Sequence, residues 1–102
     1  MIIVHLTYIA PLTEVDKYLQ AHREFLDYYY KQGLLLASGP TKPRTGGIII
    51  ALSQDVAAIE TIFKSDPYCL ADIARYEFTL FTPVKHRAEL TELICDSEGS
   101  AC

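Results

Sequence analysis

The chain has 102 residues, half of them apolar or aromatic and 22% charged, and its formal net charge is −4. This length and composition predict one globular domain and exclude a disordered chain. The negative charge argues against a nucleic-acid partner, which needs an excess of Lys and Arg. No apolar run approaches the roughly 20 residues of a membrane span, and no signal peptide is visible, so we expect no membrane partner.

The first predicted elements are a strand and a long helix. The strand covers Ile2–Tyr8, and the helix runs from about Glu14 to Gln32. A capping box of Thr13 and Asp16 should begin the helix, and Gly33 should stop it. Apolar residues at spacings of three and four form an inward stripe on this helix. The stripe contains Val15, Tyr18, Leu19, His22, Phe25, Leu26 and Tyr29.

The centre of the chain holds two apolar runs, Leu34–Ala37 and Ile48–Ala51, which predict two strands. Neither run alternates apolar with polar residues, so both faces of each strand should be covered. The loop between them, Ser38–Gly47, is longer than a hairpin turn requires, and such loops often carry function. The loop ends with the cationic Arg44, with Thr45, which carries a hydroxyl, and with two residues of flexible backbone, Gly46 and Gly47. A solvated hairpin loop is the alternative interpretation.

A second helix and a last strand complete the predicted domain, residues 1–83. Ser53 or Asp55 should cap the helix, and Asp66-Pro67 should end it, because proline disfavours helical geometry in the preceding residue. The inner face of the helix carries Val56, Ile59, Ile62 and Phe63. A short connection leads to the strand Arg75–Pro83. Residues 84–102 should form an extension with a short amphipathic helix, followed by a frayed tail over Asp96–Cys102.

The predicted order, β-α-β-β-α-β, is the ferredoxin-like arrangement of the α+β class. Right-handed crossovers place both helices on one face of an antiparallel sheet. Two helices cover only that face, whereas the apolar strands require cover on both. We therefore predict a two-fold homodimer through the free face, a dimeric α/β barrel, in which Ile49 faces the partner. Such a dimer would enclose space for a small ligand.

The cysteines, Cys69, Cys95 and Cys102, have neither CxxC spacing nor an even count. They predict reduced thiols in a cytoplasmic protein rather than a disulfide framework or a zinc site. Cys69 is a candidate nucleophile, although a buried thiol more often acts as a small hydrophobe. The histidines are too scattered in sequence to form a metal set. We therefore expect neither a metal nor a cofactor.

His22 and Asp66 are the candidate catalytic pair. A histidine on an apolar stripe can be a base or an acid, because its charge changes near neutral pH. Asp66 would hold the imidazole in one tautomer if the fold brings the two together. We then expect the side chains to approach to about 2.6–3.2 Å. The alternatives are a satisfied core histidine and a turn-forming aspartate before proline.

Arg44 is the candidate group for anion recognition. Its guanidinium could neutralise an anionic substrate or stabilise a developing oxyanion, and the amides of Gly46 and Gly47 could assist. The alternatives are a surface arginine and glycines that simply admit the turn. No phosphate-loop pattern is present.

Short motifs in a fixed order resemble the YciI-like (YCII-related) family over Ile2–Pro83. They are His22–Leu26, Gly33–Leu35, Ser38–Pro40 and Asp66–Tyr68, and Pro43–Gly47 is similar to a loop in one branch. The resemblance implies a ferredoxin-like dimeric α/β barrel with an active site of His22 and the Asp66 of a DP-aromatic motif. Some members eliminate halide from chlorinated aromatic breakdown products, and related barrels include muconolactone isomerases.

Two functions are consistent with the sequence. In the first, the protein is a lyase or isomerase in which His22 moves a proton beside a carbonyl and Asp66 orients it. A small anionic or carbonyl-bearing acid would be bound by Arg44, Thr45, Gly46, Gly47 and Tyr68, and the reaction could be a dehalogenation. In the second, the protein is a non-catalytic metabolite-binding or accessory dimer. A solvent-reachable His22 beside Arg44 would favour the enzyme.

Overall fold

A computed structural model of the chain describes residues 1–98, with side chains up to Ile94. Its elements follow one another in the predicted order, with short helices added between the main ones. The strands are β1 (Ile2–Tyr8), β2 (Leu35–Pro40), β3 (Gly46–Ala51) and β4 (Ala74–Leu80). The helices are α1 (Leu12–Lys17), α2 (Leu19–Lys31), α3 (Val56–Phe63), α4 (Pro67–Leu70) and α5 (Thr91–Glu98), preceded by a 3₁₀ turn over Ala88–Leu90.

The four strands form one antiparallel sheet in the order β2-β3-β1-β4. This order confirms the predicted ferredoxin-like arrangement, because the crossovers through α2 and α3 carry the chain to the two edge strands. The central strands pair with Val4 opposite Ile49 and Leu6 opposite Gly47. Inward residues of these strands join α2 and α3 in one buried cluster. It includes Ile2, Val4, Leu6, Val15, Leu26, Ile49, Ile59 and Phe63.

The predicted first helix is broken in two at Tyr18, which has φ −108° and ψ 1°. The predicted capping box is wrong, because Pro11 holds the N-cap position and no side chain caps the helix. The Asp16 carboxylate instead pairs with Arg44, far along the chain. The predicted stop is confirmed, since Gly33 has φ +76°, a conformation that side chains with a Cβ rarely adopt.

The second half of the chain follows the predicted caps. Asp55 caps α3 by accepting a hydrogen bond from the Ala58 N–H at 3.0 Å. Asp66 does more than end α3, because it also caps α4, in which Pro67 occupies the first turn. Proline suits this position, since it lacks the N–H that would have no helical partner there.

The outward face of the sheet is partly apolar. Ile50 pairs with Ile3 of β1 and is only half-buried, whereas Ile49 is 2% exposed in the core beneath the helices. The prediction that Ile49 faces a partner is therefore wrong by one residue. Successive residues of a strand point to opposite faces, so Ile50 takes the outward position.

The chain beyond β4 leaves the sheet. Val84 is 84% exposed, and the predicted amphipathic helix appears as α5, on which Ile94 is buried and Leu93 exposed. Helix α5 extends to Glu98, so residues 96–98 are helical rather than part of the predicted frayed tail. Residues 99–102 lie outside the described part of the chain. None of the described helices has the length and apolar character needed to cross a membrane.

Candidate active site

A cavity of about 430 Å³ lies between α2, α4 and the inner face of the sheet. Its apolar wall includes Leu6, Leu19, Leu26 and Ile49. Its polar lining includes His22, Arg23, Ser38, Arg44 and Tyr68. This combination of an apolar wall and a few convergent polar groups is typical of sites for small molecules.

His22 and Asp66 meet at this cavity. The Nδ1 atom of His22 lies 2.8 Å from Oδ1 of Asp66, within the distance predicted from the sequence. The side chain of Asp66 is fully buried, whereas that of His22 is 11% exposed and lines the cavity. An acceptor carboxylate at Nδ1 favours the tautomer that carries its proton there. The Nε2 atom is then left to exchange a proton with a ligand.

Asp66 is held by more than His22. Its Oδ1 also accepts a hydrogen bond from the Tyr68 N–H at 3.1 Å, and its Oδ2 accepts one from the Tyr76 hydroxyl at 2.6 Å. Burial, followed by the charge and hydrogen bond of Asp66, raises the pKa of Tyr76, so this hydroxyl stays a donor near neutral pH. The carboxylate therefore has a donor on each oxygen, as a buried charge requires.

Tyr76 is a residue that the sequence analysis did not place in the site. In the sequence it is one residue of the predicted strand Arg75–Pro83, where it alternates with polar neighbours. The signal available was the hydroxyl itself, because a Tyr on an inward face needs a hydrogen-bond partner. In the structure that partner is Asp66.

Tyr68 forms one wall of the cavity. Its ring stacks on the His22 imidazole with centroids 4.0 Å apart and an interplanar angle of 9°. The edge-to-face contact with Tyr8 is at 6.0 Å. The Tyr68 ring thus packs on the face of the imidazole, whereas Asp66 binds the edge of the same ring at Nδ1.

Arg44 reaches the same cavity from the loop after β2. Its guanidinium donates to Asp16 at 2.6 Å and lies 5.9 Å from the centre of the Tyr8 ring. The hydrogen bond with Asp16 raises the pKa of Arg44. Asp16 was also missed as a site residue, because the sequence analysis used it as a helix cap.

The other predicted loop residues divide between the cavity and the sheet. Gly47 lines the cavity, whereas Thr45 and Gly46 are not among its lining residues. The Thr45 hydroxyl donates to the Pro43 carbonyl at 3.5 Å. A Cβ on Gly46 would collide with the Leu6 carbonyl oxygen. The close approach of two strands is therefore sufficient reason for the glycine at position 46.

Cys69 does not line the cavity that contains His22. It lines a second cavity of about 340 Å³, with Glu60, Phe63, Lys64, Tyr76 and Phe78. Its thiol is free. Among the residues that the structure describes, no group of three or more His, Cys, Asp or Glu side chains could hold a metal ion.

Comparison of the sequence with models of known protein families identifies the family of this chain. A family model, the YCII-related domain, matches residues 1–82. The chain belongs to the YCII-related family. The match covers all four strands of the sheet and every residue named above as a cavity residue. No curated protein matches this YCII-related chain by sequence.

Comparison with solved structures supports the same fold. One similar structure is the 5-chloro-2-hydroxyhydroquinone dehydrochlorinase (TftG) of Burkholderia phenoliruptrix, in complex with 2,5-dihydroxybenzoquinone. The TM-score is 0.67 at 18% sequence identity, and the alignment covers 87% of this chain and 98% of the dehydrochlorinase. At this identity the likeness establishes the fold that the YCII-related protein shares with the dehydrochlorinase.

Proposed function

We propose that this YCII-related protein is a lyase or isomerase that moves a proton on a small cyclic or carbonyl-bearing acid, with halide elimination as the favoured reaction. The observation that carries the proposal is the buried Asp66 carboxylate, 2.8 Å from Nδ1 of a His22 that lines a cavity. A solved protein of the same fold is a dehydrochlorinase with a small quinone bound, which supports the choice of substrate class.

The proton would move through His22. In the diketo tautomer of a chlorinated hydroxyhydroquinone, a ring carbon beside one carbonyl and the neighbouring carbon that bears chlorine are both tetrahedral. With Nδ1–H donated to Asp66, Nε2 can take a proton from the carbon beside the carbonyl. The electron pair of that C–H bond would form a C=C bond as the neighbouring C–Cl bond breaks, and chloride would leave. The imidazolium then returns its proton to water. The carboxylate of Asp66 would stabilise the imidazolium while it exists.

Arg44 would bind the negative charge of the substrate. Its guanidinium lies at the cavity and is held by Asp16 at 2.6 Å. A cation fixed beside the carbonyl oxygen stabilises the enolate-like charge that forms when the proton leaves. Gly47 and Tyr68 line the same cavity and would shape the binding site around that anion.

Chloride release is the test of this proposal. Purified protein would be incubated without oxygen with 5-chloro-2-hydroxyhydroquinone, and free chloride and the absorbance of the quinone product would be followed together. We expect one chloride per substrate consumed, at a rate above that of buffer alone. Binding of the compound without chloride release would contradict the enzyme and favour the alternative, a metabolite-binding dimer.

We also propose that the protein is a homodimer through the outward face of the sheet. This face carries the half-buried Ile3 and Ile50, which pair directly across β1 and β3. A second copy of the same face would cover both residues, and a two-fold axis makes one patch serve both chains.

A charge at position 50 should separate the dimer. We expect the wild-type protein to scatter light as a particle of about twice 11.5 kDa and Ile50→Lys to scatter as a folded monomer. Ile49→Lys should unfold instead, because that side chain lies in the core at 2% exposure. A wild-type mass of 11.5 kDa at micromolar concentration would overturn the dimer.

A further inference from the structure

The Tyr68 hydroxyl is the feature of the cavity that the proposed function leaves unexplained. It is buried and, among the buried side-chain polar atoms of the described residues, it is the one without a hydrogen-bond partner. Tyr68 as a whole is 1% exposed. A buried hydroxyl without a partner lowers the stability of the folded state. Such a group in a native site calls for an explanation.

The surroundings of this hydroxyl connect it with the reacting groups. The Tyr68 ring is parallel to the His22 imidazole at 4.0 Å, and both rings line the same cavity. Burial raises the pKa of Tyr68 to about 12. The positive charge of Arg44, which also lines the cavity, acts in the opposite direction and lowers this pKa. The phenol is thus a neutral hydrogen-bond donor near neutral pH.

We propose that the Tyr68 hydroxyl donates a hydrogen bond to a carbonyl or phenolate oxygen of the substrate, next to the atom whose proton His22 takes. The site would then take a planar ring with an acceptor oxygen and an acidic hydrogen on neighbouring atoms. Tyr68 would then be the uncharged group of the site that donates a hydrogen bond to the oxyanion. It rests on the proposed function for the identity of the base.

This role fits Tyr68 better than it fits the amides of the loop. Gly46 lies within β3, opposite Thr7, and is not among the residues that line the cavity. Gly47 is paired on both sides, with Leu6 and with Pro40. Both glycines are therefore paired residues of the sheet, whereas the Tyr68 hydroxyl has no hydrogen-bond partner.

The test uses Tyr68→Phe and the probe 2,5-dihydroxybenzoquinone, with binding measured by calorimetry and stability by thermal unfolding. We expect the probe to bind Tyr68→Phe at least about tenfold more weakly, because the lost bond is made to a charged acceptor. The same variant should melt at the wild-type temperature or above it, since it removes an unsatisfied buried oxygen. A purely structural hydroxyl would give a lower melting temperature instead.

Two tyrosine variants serve as controls. Tyr28→Phe alters an exposed residue of α2 and should change neither measurement. Tyr76→Phe removes the bond to Asp66 and should lower the melting temperature, which is the opposite of Tyr68→Phe. Equal affinity of Tyr68→Phe and wild type would overturn the inference, and so would absence of binding by wild type at millimolar probe. Binding through Tyr68 without chloride release would overturn only the proposed function.

Discussion

His22→Asn is expected to reduce chloride release by about 10²–10⁴-fold, the usual contribution of a general base. The side-chain amide of asparagine can occupy the position of Nδ1 and keep a donor to Asp66, whose Oδ1 lies 2.8 Å away. What asparagine lacks is an atom equivalent to Nε2. The variant therefore separates the structural hydrogen bond of position 22 from the proton transfer.

The measurement is the initial rate of chloride release from 5-chloro-2-hydroxyhydroquinone, with binding of 2,5-dihydroxybenzoquinone as the second readout. We expect the affinity of His22→Asn to stay within a few-fold of wild type, because Arg44 and Tyr68 still line the cavity. His86→Asn is the matched control, since His86 is exposed and bonds only to the Arg87 carbonyl among the described contacts. A rate for His22→Asn equal to that of His86→Asn would exclude His22 as the base.

The strand order and the meeting of His22 with Asp66 could be predicted from the sequence for a physical reason. Each residue is slightly costly where the pattern places it: a polar ring on an apolar helix stripe and a carboxylate at a helix end. A fold that joins the two removes both costs, and the 2.8 Å contact between them agrees with that reasoning. The local sequence pattern around each of these two residues therefore predicted a contact between residues that are distant in sequence.

The orientation of β3 could not be predicted in the same way. Ile48, Ile49 and Ile50 are alike, so the sequence has no period-two pattern to show which of them faces the helices. The pairing of Val4 with Ile49 decides it in the structure. A shift of one residue moves a side chain to the opposite face of the sheet. The sequence therefore predicted Ile49 on the dimer face, whereas in the structure Ile49 lies in the core.

Asp16 and Tyr76 show the other limit of local reasoning. Thr13 and Asp16 have the spacing of a cap, but the attraction of Asp16 to Arg44 acts between residues that are distant in sequence. Tyr76 similarly follows the apolar alternation of a strand, and its hydroxyl finds Asp66 through the tertiary fold. In both cases the decisive partner lies outside the window that a pattern can survey.

Asp66→Ala should destabilise the protein strongly, whereas Asp66→Asn should leave it folded but slow. The carboxylate accepts from His22 Nδ1, the Tyr68 N–H and the Tyr76 hydroxyl, and it is fully buried. Alanine leaves these groups without an acceptor, at about 1–3 kcal/mol for each one that stays unsatisfied. We expect the free energy of unfolding of Asp66→Ala to fall by about 3 kcal/mol or more in urea titrations.

Asparagine can preserve most of this network. Its oxygen can accept from His22 and from the Tyr68 N–H, while its amide donates to the Tyr76 hydroxyl, which can rotate to accept. The missing element is the negative charge that stabilises the imidazolium, and a charge-assisted bond is worth about 1.5–3 kcal/mol. We therefore expect chloride release by Asp66→Asn to fall by about 10–100-fold with little change in melting temperature. Wild-type activity in Asp66→Asn would mean that the carboxylate at position 66 serves the fold alone.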